Sequence, residues 1–464
     1  PQVRARLHLG VRLLLAAACW AAAPAWAQLP LPTPGRVIDT LPDRRPVLPP
    51  TPPEVVFPAP RPGAKHDPNA PRFMVNAFRF AGNTVYSEQL LKRVVGRFVD
   101  YQLNLHELNQ AADLVTRYYR EHGYPIARAV IPAQKVEQGV VLIEVIEGRI
   151  GSVSVVGNKR YATETIEARL ADLPRAGVVT VETLERALLL LNDLPGLSAR
   201  ATLQPGAEFG LTDMVLRVEE KWASGTIALD NKGVKETGRF RLDGALDIHN
   251  PAGIGDQLDL RVIESQHDLL NYGRLSYSVP VTASGLRASA TYSRVRYEMG
   301  AEFARLGIEG EVQNYEGALS YPYLRSRRRN VFFGLGFRRT DSFQTTRFGA
   351  IPARNDQIDL LSANVQGNWV HEDSAVSNAY AAFTSNGKHS DRLLQQDAQY
   401  AKFEIDVNHL RAATKRWDLY LRGFYGVSAE RLADTEKFSF GGPDSVRGYL
   451  PSELRGDQGY LGTI

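Results

Sequence analysis

The stretch with the most distinctive chemistry runs from Phe438 to Tyr449 and reads Phe-Ser-Phe-Gly-Gly-Pro-Asp-Ser-Val-Arg-Gly-Tyr. Gly441, Gly442, Pro443, Asp444 and Ser445 are turn formers, so the stretch is a loop between two strand-like segments. It holds one arginine, Arg447, between Val446 and Gly448 and followed by Tyr449. A glycine beside an arginine lets the backbone pack closely while the planar guanidinium makes several contacts at once. The chemistry on offer is ion pairing, not bond making. There is no Gly-x-Ser-x-Gly elbow, no Walker loop and no His-Glu-x-x-His, and the nine histidines show no metal-ligand spacing. No catalytic residue, metal or cofactor is expected. The carboxylates that abound after residue 222 are accounted for by solvation.

The elements that must position this loop fall into a series of segments with different composition. The N-terminus reads as a secretory signal over residues 1–27: Arg4, Arg6 and Arg12, a short apolar run from Leu13, and Ala25-Trp26-Ala27 as a cleavage site. Its Cys19 is the one cysteine of the chain, read as an ordinary residue of the apolar run or, alternatively, as a lipoprotein cysteine. No disulfide is available to the rest of the chain. No apolar run after the signal is long enough for a transmembrane helix, so a membrane location would require a β-barrel. The 55 basic residues nearly balance the 51 acidic ones, for a net charge of +4, and no basic block tracks phosphates. Nucleic-acid binding is not expected. The chain begins at Pro1 and stops at Ile464 within a strand-like run, and so reads as cut at both ends.

Residues 28–71 are proline-rich and favour an extended linker with no core of its own, and their pattern marks no helix. Residues 72–221 repeat. Phe78-Arg-Phe-Ala-Gly82-Asn83 opens one copy (72–148) and Val153-Ser-Val-Val-Gly157-Asn158 the next (149–221). Each copy follows the order β-α-α-β-β. In the first, Leu108, Ala111, Ala112, Val115 and Tyr119 mark the buried stripe of a helix over 105–122 that Gly123 ends. From 222 onward, helical periodicity gives way to alternation of period two, as in Phe403, Ile405 and Val407 against Lys402, Glu404 and Asp406. About twelve such segments follow, near 223–231, 239–249, 256–264, 271–280, 286–297, 311–321, 330–340, 357–369, 376–386, 398–410, 416–428 and 458–464. Their polar face carries both charge signs, which suits a wet lumen. The basic run Arg325–Arg329 reads as a solvated turn, with a lipid or nucleic-acid patch as the alternative.

Taken in order, these motifs resemble the TpsB transporters of two-partner secretion in the Omp85 superfamily. The resemblance rests on the Val446-Arg447-Gly448-Tyr449 loop, on the run from Gly123 to Gln134 with Glu147-Gly-Arg-Ile150, and on Asn250-Pro251-Ala-Gly253-Ile-Gly255-Asp256. It covers residues 72–464, and for the preceding segment 28–71 it implies, as the alternative to a plain linker, a short plug helix that enters the barrel. It implies two tandem α+β POTRA domains followed by an antiparallel transmembrane β-barrel of about sixteen strands, about twelve of them in this chain. It also implies an outer-membrane protein of a Gram-negative bacterium that acts as a monomer among outer-membrane lipid. The POTRA domains would sit in the periplasm and bind an unfolded exoprotein of the TpsA type (a haemolysin, adhesin or contact-dependent toxin). The pore loop would comprise Gly441, Gly442, Asp444, Val446, Arg447, Gly448 and Tyr449. Arg447 would reach into the lumen toward an aspartate beyond Ile464, the alternative being an ordinary exposed loop arginine. Client segments would add to the strand containing Ala199, Arg200, Ala201, Thr202 and Leu203. Arg455-Gly456-Asp457 reads as turn residues. An assembly factor that inserts β-barrels and a passive porin are the competing readings; a barrel-linked lipase lacks its nucleophile.

Overall fold

The computed structural model describes residues 33–41, 55–56 and 70–464, apart from 172, 174–176, 209, 348–352, 392–395, 398 and 443–444. The signal segment 1–27 lies outside them.

The two repeat copies fold alike. In the first, Ala77–Ala81 lies parallel to Val140–Ile146, which pairs antiparallel with Arg128–Val130. In the second, Arg149–Val156 lies parallel to Leu211–Glu220, which pairs antiparallel with Leu197–Pro205. Two helices cover each sheet, Glu88–Val94 with Leu105–Glu121 and Thr163–Ala168 with Val181–Asn192. The long helix of the first copy begins at a capping box. The Asn104 side chain accepts from the Glu107 amide at 2.9 Å, and Glu107 accepts from the Asn104 amide at 2.8 Å. Its stripe Leu108, Ala111, Ala112, Val115 and Tyr119 is buried as the spacing predicts.

The same joint closes both copies. Gly82 (φ +77°) and Gly157 (φ +96°) turn the chain in the left-handed region, and a Cβ on either would strike the carbonyl oxygen of Val145 or Val218. The following asparagines donate to backbone carbonyls three residues on, Asn83 to Tyr86 and Asn158 to Tyr161, both at 2.9 Å. A glutamate two residues past the struck carbonyl then collects the turn's amides. Glu147 accepts from Thr84 and Val85, and Glu220 from Lys159, Arg160 and Tyr161.

From Ala223 to Thr463 twelve strands follow one another in a single antiparallel sheet, to which the two-residue strand Gln396–Asp397 adds beside Val376–Asp391, and the pair Phe438–Phe440 with Leu454–Gly456 stands apart. The alternation sorts the side chains as expected. In Arg329–Thr346, Phe333, Leu335 and Phe337 point out and are exposed, while Thr340, Ser342 and Gln344 on the other face are buried. Two strands, Ile308–Arg325 and Arg329–Thr346, run to 18 residues each. That is longer than the roughly 10 needed to cross a bilayer and longer than the alternation suggested. Their outer ends carry residues such as Glu309 and Asp341, so the backbone ladder continues where the apolar pattern stops. No helix among the described residues is long and apolar enough to cross a membrane.

The linker expectation for residues 28–71 is corrected. Pro34–Asp39 is a helix of six residues, and its Val37 is 2% exposed in a core with Ile263, Leu270, Val295, Tyr297 and Phe303 on the inner face of the sheet. The sheet therefore curls around this helix. Six residues are too few to show a period, and so short a helix has little stability of its own. Pro34 at the first helical position supplies a preset φ, and the lumen supplies the rest. Val55–Val56 is also ordered, as a strand running parallel to Ala201 and Thr202.

In the basic run Arg327, Arg328 and Arg329 are exposed, as a solvated turn requires, and the reading is corrected for Arg325 alone. Arg325 is 3% exposed and donates from Nε and Nη2 to both carboxylate oxygens of Asp193, at 2.9 and 2.7 Å, and from Nη1 to Asn330. Ser326–Arg329 forms the turn. An alternating strand pattern cannot reveal that another domain will dock on its turn. Arg186 adds bonds to the carbonyls of Pro322 and Tyr323, so the second repeat is fixed to one rim of the sheet.

Candidate functional site, a helix held inside the lumen

The helix Pro34–Asp39 is fixed by charge at both ends. At its start the Gly35 amide donates to Asp434 Oδ2 at 2.8 Å. At its end the Asp39 carboxylate accepts from Ser452 Oγ at 2.8 Å and from Arg455 Nε at 3.0 Å. Arg455 also donates through Nη1 to Asp434 Oδ1 at 2.8 Å and through Nη2 to the Asp434 carbonyl at 2.6 Å. One guanidinium thus joins the helix to the segment carrying Asp434, using the planar fork that suits arginine to two acceptors. On the opposite side Arg241 donates to the Thr40 carbonyl at 2.7 Å while paired with Asp230. A Cβ on Gly35 would run into Arg455 and the Asp434 carbonyl, so the helix sits as close as a glycine allows.

Two residues beyond Asp434, Glu436 is 4% exposed and pairs with Arg338 and with Lys402, the latter at 2.9 Å. Burial alone would raise the Glu436 carboxyl. The two cations more than offset this and hold it below the usual carboxylate range. Asp434–Glu436 is therefore a clasp: one end grips the helix and the other grips the inner wall of the sheet.

The predicted loop closes on itself beside this clasp. Gly441 (φ +121°) and Gly442 (φ +92°) are both left-handed. The Gly441 amide donates to Ser445 Oγ and the Gly442 amide to the Tyr449 carbonyl. Val446 is half-buried, whereas Arg447, Gly448 and Tyr449 are exposed. Asp444 lies outside the described residues. Arg447 makes no ion pair among the described residues; the arginine that is buried and paired is Arg455. The reading of Arg455-Gly456-Asp457 as plain turn residues is corrected. Leu454–Gly456 pairs as a short strand with Phe438–Phe440, and Asp457 accepts from the Leu432 amide at 2.9 Å. No local signal marked Arg455, because its partners are 21 and 416 residues away.

The profile described as "Haemolysin secretion/activation protein ShlB/FhaC/HecB" matches residues 210–462, and that of the "POTRA domain, ShlB-type" matches residues 73–148. The chain belongs to the ShlB/FhaC/HecB family. It is 23% identical to the heme/hemopexin transporter protein HuxB of Haemophilus influenzae, covering 80% of this chain and 67% of that one. It is 25% identical to the outer membrane transporter CdiB of Escherichia coli, covering 86% and 70%. Among solved structures, CdiB from Escherichia coli superposes with a TM-score of 0.65 at 22% identity over 86% of this chain and 76% of that one. CdiB from Acinetobacter baumannii gives 0.56 at 17% identity, over 87% and 78%. The fold is that of the CdiB structures, and the chain is a TpsB-type outer-membrane transporter of two-partner secretion with its POTRA domains in the periplasm.

With the POTRA domains periplasmic, the rim that docks the second repeat is the periplasmic mouth of this ShlB-family barrel. Within that repeat Ala199, Ala201 and Leu203 face the core at 1%, 0% and 2% exposure, and Arg200 and Thr202 face out. The strand pairs on one side with Leu211–Glu220. On its other side Ala201 and Thr202 are already paired with the chain's own Val55 and Val56.

Proposed function

We propose that the protein secretes an unfolded TpsA-type exoprotein, captured by its POTRA domains and passed through the barrel without nucleotide hydrolysis. The observation that carries this reading is the helix Pro34–Asp39 held in the lumen by Arg455 between Asp39 and Asp434. A six-residue helix held by an ion pair at one end and an amide–carboxylate hydrogen bond at the other is removable, which is what a gated conduit needs and a passive porin does not. The inner wall supports the same reading. Pairs such as Arg422 with Asp406 and Arg261 with Asp243 keep it charged and balanced away from the apolar patch under the helix, so an extended polypeptide meets a polar surface there.

The strand Leu197–Pro205 is the proposed docking edge, with the backbone of Ala199, Arg200, Ala201, Thr202 and Leu203 offered to an incoming segment. That Val55–Val56 lies there supports an edge able to accept an added strand. Two residue pairs are a weak hold, since each backbone bond contributes about 1 kcal/mol net, so a longer client strand displaces them. Arg447 and the rest of the loop 441–449 act with Arg455 to keep the closed state, with outer-membrane lipid around a monomeric barrel.

Co-expression with the exoprotein encoded beside it tests the function directly. Arg455→Ala is expected to free the helix and raise single-channel conductance in planar bilayers severalfold. Arg447→Ala is expected to lower secretion while leaving membrane insertion intact. Unchanged conductance and secretion in both variants would remove the gate from the mechanism.

A further inference from the structure

At the periplasmic mouth a cavity of about 200 Å³ lies between the second POTRA domain and the barrel. Arg169 and Leu190 approach it from the domain, and Arg287, Ser320 and Phe332 from the barrel wall. Arg287 lies on the lumen side. It shares its strand face with Val295 and Tyr297, which pack into the core around Val37 of the helix Pro34–Asp39. Ser320 is its cross-strand partner. The cavity therefore opens on the route from the POTRA domain into the pore, not on the lipid.

Its charge is unbalanced. Arg169 has a buried Nε with no hydrogen-bond partner. Arg287 donates only to neutral acceptors, the Gly255 carbonyl at 3.2 Å and Ser278 Oγ at 2.9 Å. Asp193 also lines the cavity, but both its oxygens are taken by Arg325. Asp256 and Asp259 act on Arg287 without reaching ion-pair distance, and Asp256 is occupied by Tyr277 and the Ala252 amide. Two guanidinium groups thus face one space, Arg169 feels the charge of Arg287, and among the described residues neither is ion-paired with a carboxylate. Removing such groups from water without a counter-charge is unfavourable, and a carboxylate entering between them restores the missing hydrogen bonds.

We propose that this cavity binds a carboxylate side chain of the passenger polypeptide as it moves from the second POTRA domain into the lumen. Arg169 and Arg287 contact the carboxylate, and Leu190 and Phe332 contact the apolar residue beside it. The site gives the transporter a preference for acidic-apolar pairs in the segment that threads first. This rests on the secretion reading above.

The test uses the full chain in nanodiscs and two fluorescein-labelled unstructured peptides. One carries Glu-Leu pairs and the other has Gln at each Glu. The Glu peptide is expected to bind on the order of tenfold more tightly, a difference of about 1.4 kcal/mol. Arg169→Gln should bring the two peptides level. Because the buried Nε of Arg169 has no hydrogen-bond partner among the described residues, this variant should melt no lower than the parent. Inorganic phosphate should compete with the Glu peptide and leave the Gln peptide unaffected. Equal binding of both peptides to the unsubstituted chain overturns the carboxylate site and leaves the secretion reading standing. Binding of neither peptide defeats both. Phosphate protection of the parent but not of Arg169→Gln, without any Glu preference, would reassign the cavity to a free anion and overturn the passenger contact.

Discussion

The two POTRA repeats share a plan and differ in what surrounds it. Both turn at a left-handed glycine, tie the turn with an asparagine and gather its amides on a glutamate. In the first copy that glutamate, Glu147, is 7% exposed and also takes the Tyr119 hydroxyl at 2.9 Å. In the second, Glu220 is half-buried, and the tyrosine at the turn, Tyr161, donates instead to the Pro195 carbonyl. The second copy spends other polar groups on the barrel, through Asp193, Arg186 and Glu185. A repeated fold can thus keep its turn and still assign one copy to internal closure and the other to docking.

Separating the docking charge from its partner should have the largest effect. Asp193→Ala leaves the buried Arg325 guanidinium without a carboxylate, and the expected loss is roughly 3 kcal/mol. It should appear as increased hydrogen exchange confined to the second repeat and the turn at 325–329. Glu147→Ala should come next, at about 2–3 kcal/mol because several donors lose one acceptor. Glu220→Ala should cost about 1 kcal/mol at its more exposed site. If thermal unfolding of the full chain ranks these two variants the other way, the assignment of internal closure to the first copy is wrong.

Gly82→Ala and Gly157→Ala should each cost about 1–3 kcal/mol, since both positions need positive φ and both face a carbonyl. Equal losses by exchange would show that the turn is the shared part of the plan. The smallest effect concerns acid. The first copy's long helix is capped through Glu107, whose pKa is lowered by the Asn104 amide and then by Arg72, whereas the second uses an uncharged Thr180–Thr183 pair. A depressed carboxyl pKa adds stability that is present above its unfolded value and lost as pH falls through the folded one. Helix fraying on acidification should therefore be confined to the first copy, and Glu107→Gln should flatten it in a pH series of amide exchange.

Much of this architecture was legible because it is local or periodic. The period-two segments located all twelve strands, and the stripe from Leu108 to Tyr119 located the helix. Gly82-Asn83 and Gly157-Asn158 marked the repeat, since a left-handed turn restricts residue type strongly. The helix at Pro34–Asp39 was illegible because its stability comes from the lumen and not from its own six residues. Arg455 was illegible because an ion pair spanning 416 residues leaves no spacing to read. Arg325 reads as a solvated turn residue in the sequence because the docking domain that buries it is absent from the pattern around it.

By itself the sequence determined what each segment could be: two copies of an α+β unit, an alternating sheet with a charged inner face, and a glycine-rich loop bearing arginine. Periodicity, turn chemistry and composition act over a few residues and are written in order along the chain. The tertiary structure alone decided which charges meet. It placed Asp39 and Asp434 on Arg455, Asp193 on Arg325, and left Arg169 and Arg287 facing an unfilled space. The worth of an ion pair depends on burial and on partners brought together by folding, and neither quantity exists until the sheet has curled and the second repeat has docked.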